Sequence, residues 1–110
     1  MTDKILVLST CDSEQSARAI ARGLLEARLA ACVNIVAGAQ SLYWWQGKIE
    51  EAGEWLLLIK SSRARFEKLR EHLGRVHSYQ TPEIIALPIV DGNPAYLEWV
   101  ERELQPPTKP

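Results

Sequence analysis

The sequence predicts a small α+β domain with a ferredoxin-like, split β-α-β sheet. Three observations point there. Apolar runs and helical stripes follow one another in the order β-α-β-β-α-β, with a short helix after them. The two uninterrupted apolar runs, residues 5–8 and 55–59, fall in the first and third strands, which this topology places at the sheet centre. Pro88, which has no N–H for a ladder, falls in the fourth strand, at an edge. Right-handed crossovers then lay both main helices on one face.

Ile5, Leu6, Val7 and Leu8 make the first strand, and Ser9, Thr10 and Cys11 lead from it into a polar loop. Asp12 reads as a helix N-cap, with Gln15 completing a capping box. Ala17, Ile20, Ala21, Leu24, Leu25 and Leu29 form one apolar stripe, with Arg18, Arg22, Glu26 and Arg28 mostly off it.

Residues 31–61 read as one hairpin with arms of about 15 residues, against a usual strand of about 5–6. Gln46 and Gly47 offer its turn. At ~3.3 Å per residue each arm would reach ~50 Å, whereas a domain of this length is only ~35 Å across. The hairpin must bend or project, and Gly38 and Gly53 are the expected bend or bulge points. Ser62 then caps a second helix, with Phe66, Leu69, Leu73 and Val76 buried and Gly74 marking its end. A loop from His77 to Glu83 follows, kept extended before Pro82. The last strand covers 84–90. Asp91 and Gly92 turn the chain, and Asn93 and Pro94 start the final helix, with Tyr96, Leu97, Val100 and Leu104 on one side. One domain therefore spans 1–105, with a flexible proline-rich tail over 106–110.

With 110 residues the chain buries roughly 65% of its unfolded surface, enough for a thin core that oligomerisation would support. Apolar residues make up 46% and charged residues 25%, and the net charge is −1. No lane of Lys and Arg stands out, which argues against nucleic acid as a partner. No apolar run is long enough for a membrane span, and the first residues lack a leader pattern. Cys11 and Cys32 are too far apart for a redox pair or a zinc spacing. A reducing, cytoplasmic location is expected.

Several residues could carry chemistry. Cys11, placed just before a helix N-terminus, could be an activated thiol or a soft-metal ligand; a small residue at a strand end is the simpler reading, since no general base stands near it in sequence. Cys32 reads as a small core hydrophobe. His77, Tyr79 and Glu83 share one loop, and two readings stand side by side: a metal or small-ligand pocket, or a loop held by its own hydrogen bonds. Tyr43, Trp44, Trp45 and Trp55 lie on the hairpin, where an interface, core packing or a ligand platform would each use them. No phosphate loop and no nucleophile elbow occur.

The residues also carry a resemblance. The run from Glu26 to Ile35, EARLAACVNI, resembles the helix-to-strand signature of the CutA family, the divalent-cation-tolerance proteins. The run from Ser41 to Ile49, SLYWWQGKI, resembles that family's hairpin tip. Lys60-Ser61, the loop HSYQTPEI from His77, and Ala86-Leu87-Pro88-Ile89, Gly92-Asn93 and Tyr96-Leu97-Glu98-Trp99 complete the match, which runs from about Ile5 to Val100. The resemblance implies a homotrimer whose extended hairpins pair around a three-fold axis, a cytosolic location and a role in metal tolerance. It also implies a likeness in architecture to the trimeric PII signalling proteins, which bind effectors between subunits. Ser78 replaces the family's Pro after His77. The copper site attributed to some members takes a thiol from the first strand's end and adjacent histidines; here Ser9 stands at that strand end and Val76 precedes His77. The metal set left is His77 with Cys11 or Glu83.

Three functions follow as expectations. The first is a non-catalytic homotrimer in divalent-metal response, requiring no cofactor and binding Cu2+ or another divalent metal at His77, Cys11 and Glu83. The second is a binding module with inter-subunit clefts lined by Tyr43, Trp45, Lys60 and Tyr79. The third is a thiol enzyme using Cys11 and His77.

Overall fold

A computed structural model of the chain describes residues 2–107. The elements are β1 (Lys4–Cys11), α1 (Glu14–Glu26), β2 (Cys32–Trp45), β3 (Lys48–Ser62), α2 (Phe66–Val76), β4 (Ile85–Pro88) and α3 (Pro94–Leu104), with one 3-10 turn, Arg63–Arg65, before α2. The four strands form one antiparallel sheet in the order β2-β3-β1-β4. The apolar runs lie inside and the proline-bearing strand at an edge, as expected. Of the tail expected over 106–110, residues 108–110 lie outside the described residues.

Alternation along the strands separates two faces. Ile5, Val7 and Cys11 of β1, with Leu57 and Ile59 of β3, join Ala17, Ile20 and Leu24 of α1 and Leu69 and Leu73 of α2 in one buried cluster. Removing Leu24, fully buried there, to alanine would cost about 2–5 kcal/mol. The other face meets α3 at one end: the Lys4 ammonium, on this face, donates to Glu101 at 2.8 Å, and Val100 and Leu104 are buried. α1 ends in a Schellman arrangement, with Leu29 N–H donating to Leu24 C=O and Arg28 N–H to Leu25 C=O. Arg28 takes the left-handed position at φ 58°, and its guanidinium reaches the Glu103 carbonyl at 2.9 Å, tying α3 to this corner.

The hairpin dominates the shape, and the molecule extends 52 × 30 × 23 Å. Gln46 and Gly47, at φ 50° and 81°, make a tight turn. Gly38, at φ 84°, sits at the register shift between Val36 and Ala39, the expected bulge. Gly53 is not a second one; it pairs in register with Gln40.

Several local expectations are corrected. Ser9, Thr10 and Cys11 are strand, because each pairs with β3, as far as Cys11 opposite Trp55. The cap of α1 is Ser13, whose Oγ accepts from Ser16 N–H at 3.0 Å, so Asp12 and Gln15 form no capping box. Ser62 belongs to β3 and gives no side-chain cap. α2 runs past Gly74 to Val76, which is exposed. The last strand, Ile85–Pro88, is shorter than 84–90, although Ile89 N–H still donates to Lys4 C=O at 3.0 Å just beyond it. Asn93 does cap α3, accepting from Ala95 N–H at 3.1 Å.

Candidate functional site

Four segments meet beyond the end of β1. Thr10 and Cys11 end that strand, Glu54 stands where β3 leaves the core for the hairpin, residues 40–45 of β2 rise beside it, and the loop after α2 closes the other side. They border an open cleft of about 730 Å³. Thr10, Ser41, Tyr43, Trp45, Glu54 and Tyr79 line it, with Gln40, Leu42, Gln80, Thr81 and Glu83 completing the wall.

His77 fixes the loop. Its ring is buried, with Nε2 donating to the Thr10 carbonyl at 2.7 Å and Nδ1 accepting from Tyr79 N–H at 3.0 Å. A carbonyl can only accept and an amide N–H can only donate, so the neutral imidazole with its proton on Nε2 satisfies both partners. Tyr79 stacks at a tilt on His77, with ring centroids 4.7 Å apart, and its hydroxyl donates to Glu54 Oε2 at 2.6 Å. Burial and that carboxylate push the Tyr79 phenol well up, so it remains a donor. For Glu54, burial opposes ionisation, but hydrogen bonds from Ser41, Tyr79 and Thr10 outweigh it and hold the carboxyl below its usual range.

The predicted residues separate into groups. Tyr43, Trp45, Tyr79 and Glu83 share the cavity wall. Lys60 does not line it within one chain. It lies six residues along β3 from Glu54, roughly 20 Å away, where its ammonium donates to Asn34 Oδ1 and stands 4.0 Å from Cys32 Sγ. Cys32 is half-buried beside that ammonium rather than in the core cluster.

Cys11 and His77 are neighbours, Sγ to Nε2 at 4.0 Å, but the pair is neither an activated thiol nor a metal site as it stands. Cys11 is fully buried in a strand rather than at a helix N-terminus, and burial, with Asp12 and Glu54 nearby, pushes its thiol up to about 11. Both imidazole nitrogens are occupied by backbone partners, and among the described residues no three His, Cys, Asp or Glu side chains gather as a ligand set. As bonded here, neither ring nitrogen of His77 is free for a metal ion. Ser9 is buried in the core and is the one buried side-chain oxygen without a partner among the described residues.

Glu54 and Thr10 escaped the sequence reading. The signal for Glu54 was present: a carboxylate at the head of the apolar run from Trp55 to Ile59 needs hydrogen-bond partners if it is buried with its neighbours.

The CutA1 divalent ion tolerance protein family matches this chain over residues 5–103. The chain belongs to the CutA family. A divalent-cation tolerance protein CutA of Thermus thermophilus is 53% identical over 95 residues, which is 86% of this chain and 92% of that protein. The solved structure of a T. thermophilus divalent cation tolerance protein superposes with a TM-score of 0.86 at 52% identity, covering 88% of this chain and 94% of that one. The crystal structure of CutA from Xylella fastidiosa gives 0.92 at 42% identity, covering 94% and 100%. The small antiparallel α+β fold is thus shared with solved structures of the family. Among the described residues no helix is long and apolar enough to cross a membrane.

Proposed function

We propose that the protein acts as a non-catalytic, cytoplasmic homotrimer in cellular tolerance of divalent cations, with its sheet read as ferredoxin-like. The exposed hairpin carries the trimeric part. Val36, Leu42, Trp44, Ile49, Ile85 and Leu87 are each more than two-fifths exposed in a single chain, and Trp44 reaches 72%. By register Val36, Ile85 and Leu87 lie on the sheet face away from α1 and α2, and Leu42, Trp44 and Ile49 on the opposite one, so apolar surface is exposed on both faces and calls for a protein partner. Hairpins of identical copies paired about a three-fold axis would cover it without leaving an open edge. Light scattering on the eluting protein should give three times the 12.4 kDa chain mass. A monomer at micromolar concentration would remove the trimer.

The reading carries no metal requirement for folding, and with both His77 nitrogens bonded to backbone groups copper would have to displace one of them to bind there. Chelator treatment should leave the melting temperature unchanged, and Cu(II) titration should leave the His77 ring signals in place. A saturable His77 shift at micromolar copper would overturn this.

The cavity favours a second reading, a small-ligand module. Its likeness to PII proteins is fold-level analogy, but a volume of about 730 Å³ with mixed aromatic and polar walls is the form small-molecule sites take. A true ligand would raise the melting temperature with its concentration.

A further inference from the structure

The cavity beside the hairpin carries charge of one sign. Two of its lining residues are charged near neutral pH, Glu54 and Glu83, and no Lys, Arg or His is among the rest. Glu54 is the most deeply buried of the lining residues, at 7% exposure. Its Oε2 accepts from Tyr79, and the rings of Tyr43, Trp45 and Tyr79 share the same wall. A small anion entering here would meet like charge, with no compensating cation from the same chain. An inorganic divalent ion wants six or more hard oxygens or a converging set of His, Cys and acidic ligands, and the described residues provide no such set. A buried carboxylate among aromatic faces suits a different guest: a positive nitrogen on an organic body, which ion-pairs with the carboxylate and lies against the rings.

We propose that this cleft binds a small organic ammonium ion, with Glu54 as its buried counter-charge, Tyr43 and Trp45 as the aromatic walls, and Glu83 as an exposed second carboxylate. This rests on the small-ligand reading above and fixes the charge of the ligand. It reverses what a PII-like analogy would suggest, since nucleotides and other polyanions are the wrong sign for this lining. The Tyr79 hydroxyl donates to Glu54 at 2.6 Å, and the carboxyl lies below its usual range despite its burial, so the counter-charge is in place before the guest arrives.

The test uses the full chain and isothermal titration, with choline and putrescine as cationic probes. 3,3-Dimethylbutanol serves as the uncharged isostere of choline, and ADP and citrate as anions. At least one cation should bind saturably and raise the melting temperature. The neutral isostere should bind about ten-fold more weakly or not at all. Glu54→Gln keeps an oxygen for the Tyr79 hydroxyl but removes the charge, and it should weaken the cation about ten-fold while leaving the isostere's binding unchanged. Glu83→Gln, at an exposed position, should weaken it by a smaller factor and keeps the test open if the buried substitution disturbs folding. Equal binding of choline and its isostere would overturn the charge assignment and leave the small-ligand reading standing, as would binding of ADP or citrate in place of the cations. Cation binding unaffected by both substitutions would overturn this location. If no probe of any charge binds, both the inference and the small-ligand reading fall.

Discussion

His77 and Cys11 show how a residue's chemistry is set by its bonds rather than by its type. The imidazole gives its proton to the Thr10 carbonyl and its lone pair to the Tyr79 amide, so it works as a clamp between β1 and the loop. The adjacent thiol, raised to about 11 by burial, is inert near neutrality. Iodoacetamide at pH 7.5 should therefore label the half-buried Cys32 well before Cys11, as read by peptide mass mapping; equal rates would contradict the burial. Because the folded thiol lies above its ordinary value of 9.0, Cys11 contributes stability that is full below pH 9 and is lost as pH rises through about 11. Glu54 has the opposite sign. Its folded carboxyl lies below the ordinary 4.5, so its contribution is present above that pH and is lost as pH falls through the depressed folded value. Acid denaturation should lose part of its steepness in Glu54→Gln, measured as the unfolding free energy between pH 6 and 3.

The hairpin poses the same question for an element. Gly38 and Gly53 look alike in sequence, each within a long arm and each a credible bulge. In the structure they differ in one physical respect: Gly38 has a φ of 84°, and Gly53 lies in continuous register with an ordinary strand conformation. A Cβ added at either position meets nothing within 4 Å, so space does not distinguish them and backbone strain does. Gly38→Ala should lower the unfolding free energy by about 1–2 kcal/mol. Gly53→Ala should be neutral or stabilise by up to about 1 kcal/mol through reduced freedom of the unfolded chain. Parallel urea titrations decide this, and equal losses at the two glycines would place a bulge at both.

The whole molecule is too elongated for its core. At 52 Å it is far longer than the sheet that α1 and α2 cover, and the far half of the hairpin leaves Leu42, Trp44 and Ile49 in water. If the trimer covers them, stability belongs to the assembly, and the melting temperature should rise with protein concentration. Trp45→Ala should lower that temperature and shift the mass toward monomer. A variant that stays trimeric and equally heat-stable would place the interface elsewhere.

What could be read in the sequence was whatever depends on nearest neighbours along the chain and on periodicity. The two apolar runs marked the central strands, Pro88 marked an edge, Asn93 and Pro94 started α3, and the length of the arms required the hairpin to project. The family signature was equally legible, because it lies in contiguous segments. Helix and strand ends were less so: whether Asp12 or Ser13 caps α1, and whether Thr10 is loop or strand, depends on pairing with β3, which no local pattern records. The cavity was the least legible part. Tyr79 and Glu54 are far apart in sequence, and their 2.6 Å hydrogen bond exists only because β3 and the loop after α2 are brought together at the end of β1. Local order along the chain determined the elements. Only tertiary contact decided which carboxylate is buried, which thiol is silent and what charge the cleft presents, because each of those depends on how water is excluded by segments that the chain itself keeps apart.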